Sequence, residues 1–318
     1  MKKYDSATAK NLFISIIMLA FFATFIIAVN FIVDPANLAG SSYEREIAKI
    51  MSQGKNVTNI ENYDDRELIK QYLEISENDI DTIAIGSSRC MQMTKEAAQC
   101  EKFFSAGVTG AELRDCINIY YSFKNAGKQP KKVILFTEYW FLSKGNLDER
   151  ASVEEYGKFC KSINSPPFKT KSRKTARLKE LFSFTYFQKS VQYALKDPVR
   201  AHVQATDEAD GKLATRRADG SYSYEESYRL AGEEYAMGKA KEYTIRNTIQ
   251  LNFTGVDKTL CFQFEKFIEK MQEDGVEVEL VISPFHPIAY EQMQKSAKYV
   301  DILPTEEYFR LVAKKYDI

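Results

Sequence analysis

The sequence predicts a mixed α/β protein, a doubly wound parallel sheet tethered to a membrane by one N-terminal helix. Three observations predict it: a long apolar run near the start, short β-branched runs alternating with helical apolar stripes, and glycine-marked turns where those runs end.

The apolar run Leu12–Val33 is interrupted only by Ser15, Thr24 and Asn30. As a helix it reaches roughly 33 Å, enough to cross a hydrocarbon layer of about 30 Å. A cleaved secretory signal has a shorter apolar stretch, about 7–15 residues, and a small-residue cleavage site; no obvious site of that kind follows Asn30. The run is therefore expected to be an uncleaved anchor in the lipid bilayer. Lys2, Lys3 and Lys10 precede it against a single Asp5, and Asp34 follows it. The positive-inside rule then puts the N-terminus in the cytoplasm and the remainder outside the cell. Residues 1–34 are expected to form tail and anchor, 35–79 a stalk and lead-in with a helical stretch around Arg66–Ile75, and 80–318 the folded domain.

Within that domain Asp81–Ile85 is a short β-branched strand ending at Gly86-Ser87-Ser88, and Met91–Gln99 beyond it is helix-friendly. Lys102–Ser105 is a second strand, followed by Gly107 and Gly110. A helix over 111–125 comes next, with Leu113, Cys116, Ile117 and Tyr120 in a stripe and Gly127 as its stop. Lys132–Phe136 is a third strand, apolar without alternation, as strands covered on both faces are. From Gly145 to Thr254 the rhythm gives way to aromatic-rich helical segments and the polar stretch Thr206–Tyr224, so about 145–254 is read as a helical insertion. The alternation returns with Leu260, Phe264, Phe267, Ile268 and Met271, a stop at Gly275, and the strand Val276–Ile282. Pro304–Tyr316 is a last amphipathic helix with Tyr308, Leu311 and Val312 on one side.

Composition narrows the function. Lys+Arg and Asp+Glu are equal at 44 each, so no overall field gathers nucleic acid. The five cysteines are odd in number and lack C-x-x-C spacing, against a zinc site or a disulfide framework. No His, Cys or carboxylate pair has ligand spacing, and neither metal nor cofactor is expected.

In doubly wound sheets the crevice lies at the carboxyl ends of the strands, here Gly86–Arg89, Ala106–Gly110, Thr137–Trp140 and Ser283–Pro287. Ser88 sits in a turn where a hydroxyl is exposed and backbone N–H groups can face an oxyanion, although Ser87 and Ser88 equally read as caps of the next helix. Arg89 is placed to meet an anionic acceptor, or to be solvated or paired with Glu112 or Asp115. Glu138 and Trp140 offer a carboxylate and an aromatic ring for a sugar or polyol, against the alternative that Tyr139, Trp140 and Phe141 pack beneath the insertion. Lys169, Lys171, Arg173, Lys174, Arg177 and Lys179 make a local positive patch, suited to anionic lipid or polymer or simply to solvent.

Ile85-Gly86-Ser87-Ser88-Arg89, Ala106-Gly107-Val108-Thr109-Gly110 and Thr137-Glu138-Tyr139-Trp140-Phe141, in this order behind an anchor, resemble the successive blocks of SGNH/GDSL-type hydrolases. Within that group the chain is most similar to the membrane-anchored branch that includes the D-alanyl-lipoteichoic acid biosynthesis protein. The likeness covers the anchor and roughly residues 80–142 and 256–290. It implies a flavodoxin-like fold, Ser88 as nucleophile, and Ser88 with Gly107 as oxyanion donors. The third block has Glu138 where the family has its G-x-N, and the closing D-x-x-H block has no match. The chain has two histidines, His202 in the insertion and His286, and the residue three before His286 is Ser283. Either His286 serves as base, or the block lies beyond Ile318; the second is favoured, because a final helix leads back to another strand in a βαβ pattern. The implied activity is that of a serine esterase or O-acyltransferase acting on cell-envelope polysaccharide or a teichoic-acid-type polymer through an acyl-serine, with a multi-pass O-acyltransferase as partner. A catalytically silent envelope-polysaccharide-binding protein on the same fold is the other expectation.

Overall fold

The computed structural model describes residues 6–34, 42–60, 63–143, 154–167, 179, 181–196, 203–245, 255–299 and 302–318. In chain order the elements are α1 (Ser6–Val33), α2 (Ser42–Ser52), β1 (Asn56–Thr58), α3 (Asp65–Ile75), β2 (Thr82–Ile85), β3 (Phe103–Ser105), α4 (Leu113–Asn125), β4 (Lys132–Thr137), α5 (Glu154–Ser162) and α6 (Phe184–Lys196). They continue with β5 (Gln204–Thr206), β6 (Thr215–Arg216), β7 (Tyr222–Ser223), α7 (Glu226–Arg229), α8 (Glu233–Ile245), α9 (Lys258–Glu273), β8 (Glu277–Ile282), α10 (Pro287–Lys295) and α11 (Ile302–Tyr316). These fall into two units, one of residues 1–43, 61–63 and 172–202, the other holding the rest.

In the first unit α1 carries the one described stretch long and apolar enough to cross a membrane, Lys10–Val33. Its side chains are largely exposed, as a lipid-facing helix requires, Phe21 at 75%. The polar Asn30 is the exception. It is fully buried, donating to the carbonyls of Leu181 at 2.8 Å and Ser183 at 3.1 Å and accepting from the Ser190 hydroxyl at 3.2 Å.

In the second unit the expected alternation gives a four-stranded parallel sheet in the order β3-β2-β4-β8, which in chain order is second, first, third, fourth. Ile83 lies opposite Phe104 and Val133, and Leu135 opposite Leu280. Val133, Ile134 and Leu135 are buried, which accounts for the unbroken apolar run in the sequence. The expected stripe of α9, Leu260, Phe264, Phe267, Ile268 and Met271, is buried throughout. Asp257 caps that helix by accepting from Thr259 and Leu260 N–H, and Gly275 at φ +75° ends it.

Four sequence expectations differ. Met91–Gln99 is not a helix: only Cys90–Gln92 makes a short 3-10 turn. Met93 is extended, the Asp219 carboxylate accepts the Lys95 N–H at 3.0 Å, and Gln99 has φ +51°, all incompatible with a continuous helix. Much of the 35–79 segment, expected as stalk and lead-in, is folded into the domain. Ile47, Ala48 and Met51 of α2 and Leu68, Ile69 and Tyr72 of α3 are buried, and Tyr72 stacks on Phe104 at 4.5 Å. The insertion is not wholly helical, since its polar part supplies β5, β6 and β7 to a second sheet, β5-β1-β6-β7, antiparallel and completed by β1 of the lead-in. Finally, α11 buries Ile302, Thr305, Phe309 and Val312, while Leu311 is 60% exposed, so its core face is rotated from the expected one.

Candidate functional site

The sheet order reverses direction between β2 and β4, and at such a switch point the loops leaving the two strands diverge to open a crevice. The chain leaves β2 through Gly86, where an added Cβ would lie 2.6 Å from the Phe136 Cβ on β4, so only glycine fits between the two strands. The Gly107 loop packs on this turn backbone to backbone. Val108 N–H donates to the Gly86 carbonyl at 3.0 Å, and a Cβ on Gly107 would sit 2.9 Å from Met91 N and 3.0 Å from the Ser87 carbonyl oxygen. The structure thus brings the Gly86–Arg89 and Ala106–Gly110 loops together.

Ser88 is half-buried on this turn, and among the described residues its hydroxyl has no hydrogen-bond partner. Its neighbour Ser87 is buried and has two tasks. Its hydroxyl donates to one oxygen of Glu138 and accepts the Arg89 N–H at 3.3 Å, which fixes the turn. The other Glu138 oxygen accepts from the Arg89 guanidinium at 2.7 Å. Arg89 also lies over the Phe285 ring at 3.9 Å and donates to the Tyr243 hydroxyl at 3.3 Å. Burial pushes the Glu138 carboxyl above its ordinary value, and Arg89, Ser87 and Ser283 pull it partly back. Cys90, one step along the turn, is fully buried and its thiol is pushed up to about 12, so it stays protonated.

Above these groups lies a cleft of about 390 Å³ lined by Arg89, Tyr228, Tyr235, Tyr243, Phe285 and His286. His286 is exposed and caps α10, its Nδ1 accepting the Ile288 N–H at 3.3 Å. In the neutral ring this bond puts the proton on Nε2, which is then a donor. Ser88 and His286 share no hydrogen bond.

The expected sugar-holding pair is not presented to this cleft. Both Glu138 oxygens are engaged by Ser87 and Arg89. Trp140 is 5% exposed and donates its Nε1–H to the Ala111 carbonyl at 2.7 Å, the packed alternative for this aromatic cluster. Arg89 pairs with Glu138, and the two partners expected for it pair elsewhere, Asp115 with Arg66 at 2.7 Å and Glu112 with Arg114 at 2.7 Å. No helix of useful length starts here, only the Cys90–Gln92 turn, so neither Ser87 nor Ser88 is the helix cap that the sequence also offers. His202 lies outside the described residues, as do Lys169, Lys171, Arg173, Lys174 and Arg177.

The cleft aromatics of the insertion, Tyr228, Tyr235 and Tyr243, are functional candidates that the strand-end pattern does not single out. Their signal is the stripe Tyr235, Lys239, Tyr243 with Ala236 and Ala240 beside it, one face of α8 at i, i+4, i+8 spacing. No family model, curated protein or solved structure matches the chain, so the arrangement of its own residues carries the functional reading.

Proposed function

We propose that the chain is a membrane-anchored serine esterase or O-acyltransferase of SGNH/GDSL type, with the flavodoxin-like fold of that group. Its N-terminus is cytoplasmic, and its domain acts outside the cell on an envelope polysaccharide or teichoic-acid-type polymer. The observation that carries this reading is the close backbone packing of the Gly107 loop on the Gly86–Arg89 turn at the switch point. It supports Ser88 N–H and Gly107 N–H as two donors for one oxyanion, beside an unpartnered hydroxyl. The aromatic cleft supports a sugar or polyol acceptor, whose apolar ring faces stack on Tyr and Phe.

In this mechanism the Ser88 hydroxyl attacks an ester carbonyl and gives up its proton, the carbonyl carbon–oxygen bond to the departing alcohol breaks, and that alcohol leaves carrying a proton. A polymer hydroxyl or water then attacks the acyl-serine and returns Ser88 to its starting state. The proton acceptor is either His286, once it releases the Ile288 N–H, or a histidine that the described residues do not include. A multi-pass O-acyltransferase is the natural supplier of acyl groups from across the membrane.

A second reading, a non-catalytic polysaccharide-binding protein, is favoured by one observation: Glu138 and the His286 Nδ1 are both committed to structural hydrogen bonds. Ester turnover separates the two. With the full-length gene product in membranes and p-nitrophenyl acetate as substrate, Ser88→Ala is expected to lower kcat/KM by at least about 10³. Ser87→Ala is expected to cost less. Turnover unchanged in Ser88→Ala would reject the enzyme reading at this site.

A further inference from the structure

We propose that α6 is an interfacial membrane helix lying beside α1, with its exposed apolar face set among lipid acyl chains. This rests on α1 being a membrane anchor.

The thirteen residues of α6 divide into three faces. One packs on α1: Tyr186 and Ser190 are buried, Phe187 meets Phe25 edge-on at 6.1 Å, and the Tyr186 hydroxyl donates to Asp34 at 2.6 Å. A second is polar, with Gln188, Lys189 and Gln192 exposed. The third is apolar and largely open: Phe184, Val191 and Leu195 follow at i, i+7 and i+11, with Phe184 53% and Leu195 78% exposed and Val191 half-buried. Phe182, just before the helix, is 60% exposed as well.

The depth at which α6 meets α1 identifies what covers that third face. Its contacts run from Phe25 through Asn30 to Asp34, the last turns of the apolar stretch and the residue that follows it. The stretch Lys10–Val33 has 24 residues. At the helical rise that is roughly 36 Å against about 30 Å of hydrocarbon, so only its last few residues emerge on this side. A helix touching Phe25 and Asn30 therefore sits where headgroups give way to acyl chains, the depth of about 5–10 Å typical of amphipathic helices. Independently, the polar groups at the start of α6 are satisfied by protein rather than left for water. Asn30 donates to the Leu181 and Ser183 carbonyls, the Ser183 hydroxyl accepts the Tyr186 N–H at 3.3 Å, and Ser190 donates to the Tyr186 carbonyl at 2.9 Å. Hydrocarbon admits no such group without a partner, and here the partners are in place.

The test places single tryptophans in the full chain reconstituted in phosphatidylcholine–phosphatidylglycerol vesicles. Each is read as the emission added to that of the parent, whose one tryptophan is Trp140. Phe184→Trp and Leu195→Trp are expected to lose more than half of that added emission to lipid brominated near the headgroup end of its chains. Gln188→Trp is expected to respond instead to aqueous iodide. Phe184→Trp quenched by iodide and not by brominated lipid places the face in water and overturns the proposal. Shielding from both quenchers places it under protein, a second copy or another membrane protein, and overturns it equally. Phe21→Trp on α1 separates this failure from failure of the anchor: if it too escapes deeply brominated lipid, the anchor reading falls, and if it is quenched while Phe184→Trp is not, only the interfacial helix is wrong.

Discussion

Replacing Glu138 with glutamine removes the one charge that Arg89 is built against. The Glu138 side chain is fully buried, and the Arg89 side chain is 24% exposed. Breaking a fully buried ion pair by deleting one partner costs about 3–5 kcal/mol, because the surviving charge is left uncompensated. Here Arg89 is partly hydrated and burial already works against the Glu138 charge, so the loss comes from the glutamine amide, whose N–H donors are set against the Arg89 guanidinium, and is expected to be about 1–2 kcal/mol. Trp140 provides the assay: it is the sole tryptophan, buried, and 5.9 Å from the Arg89 guanidinium. Urea unfolding of the full chain in detergent, followed by its emission, gives the free energy by linear extrapolation. In the double variant Arg89→Gln/Glu138→Gln the losses should fall short of the sum of the single ones by at least about 1 kcal/mol. The pH dependence has a definite sign. Folded Glu138 binds its proton up to a higher pH than the ordinary value of 4.5, so stability falls as pH rises from 4.5 to the raised folded value and is level above it. The Glu138→Gln protein lacks that fall. A loss below about 0.5 kcal/mol, or strict additivity of the two single substitutions, would refute the account of this pair.

Two further outcomes follow from packing and the anchor. Gly107→Ala forces a Cβ against Met91 N and the Ser87 carbonyl and is expected to cost about 1–3 kcal/mol and lower ester turnover. Gly157→Ala, inside α5 with nothing within 4 Å of its added Cβ, should stabilise by about 0.5–1 kcal/mol; equal effects in urea unfolding would remove the claim that the two loops touch. The protein should stay in membranes through alkaline extraction, and protease added outside intact spheroplasts should digest the part after Asp34. A soluble form cleaved near Asn30 would contradict the anchor.

The parts of the fold that were legible in the sequence are those written in local periodicity. The strands β2, β4 and β8, the stripes of α4 and α9 and the apolar run of α1 each bury or expose a face within a dozen or two residues, and pattern alone finds them. Met91–Gln99 has helix-forming residues but is held by Asp219, far along the chain, so propensity lost to a tertiary contact. The lead-in looks like a stalk in the sequence because β1 is three residues long and takes its partners from the insertion, Asn56 opposite Thr206 and Val57 opposite Arg216. The candidate site divides in the same way. Gly86, Ser88 and Gly107 were visible as turn residues at strand ends. The grip of Glu138 on Ser87 and Arg89 spans separations of 51 and 49 residues, and the reach of Tyr243 to Arg89 spans 154, distances at which single-sequence patterning is silent.

The central claim, that Ser88 is a nucleophile on a glycine-bounded turn, is met most directly by the position of a covalent adduct. Membranes carrying the full-length gene product are treated with a fluorophosphonate, digested, and the modified peptide sequenced by mass spectrometry. The account predicts one phosphonylated residue, Ser88, with Ser87 unmodified because its buried hydroxyl is held by Glu138. The companion His286→Ala protein loses the adduct if His286 is the base and keeps it if another histidine is. A chain that takes no phosphonate, or takes it on any residue other than Ser88, would contradict the claim.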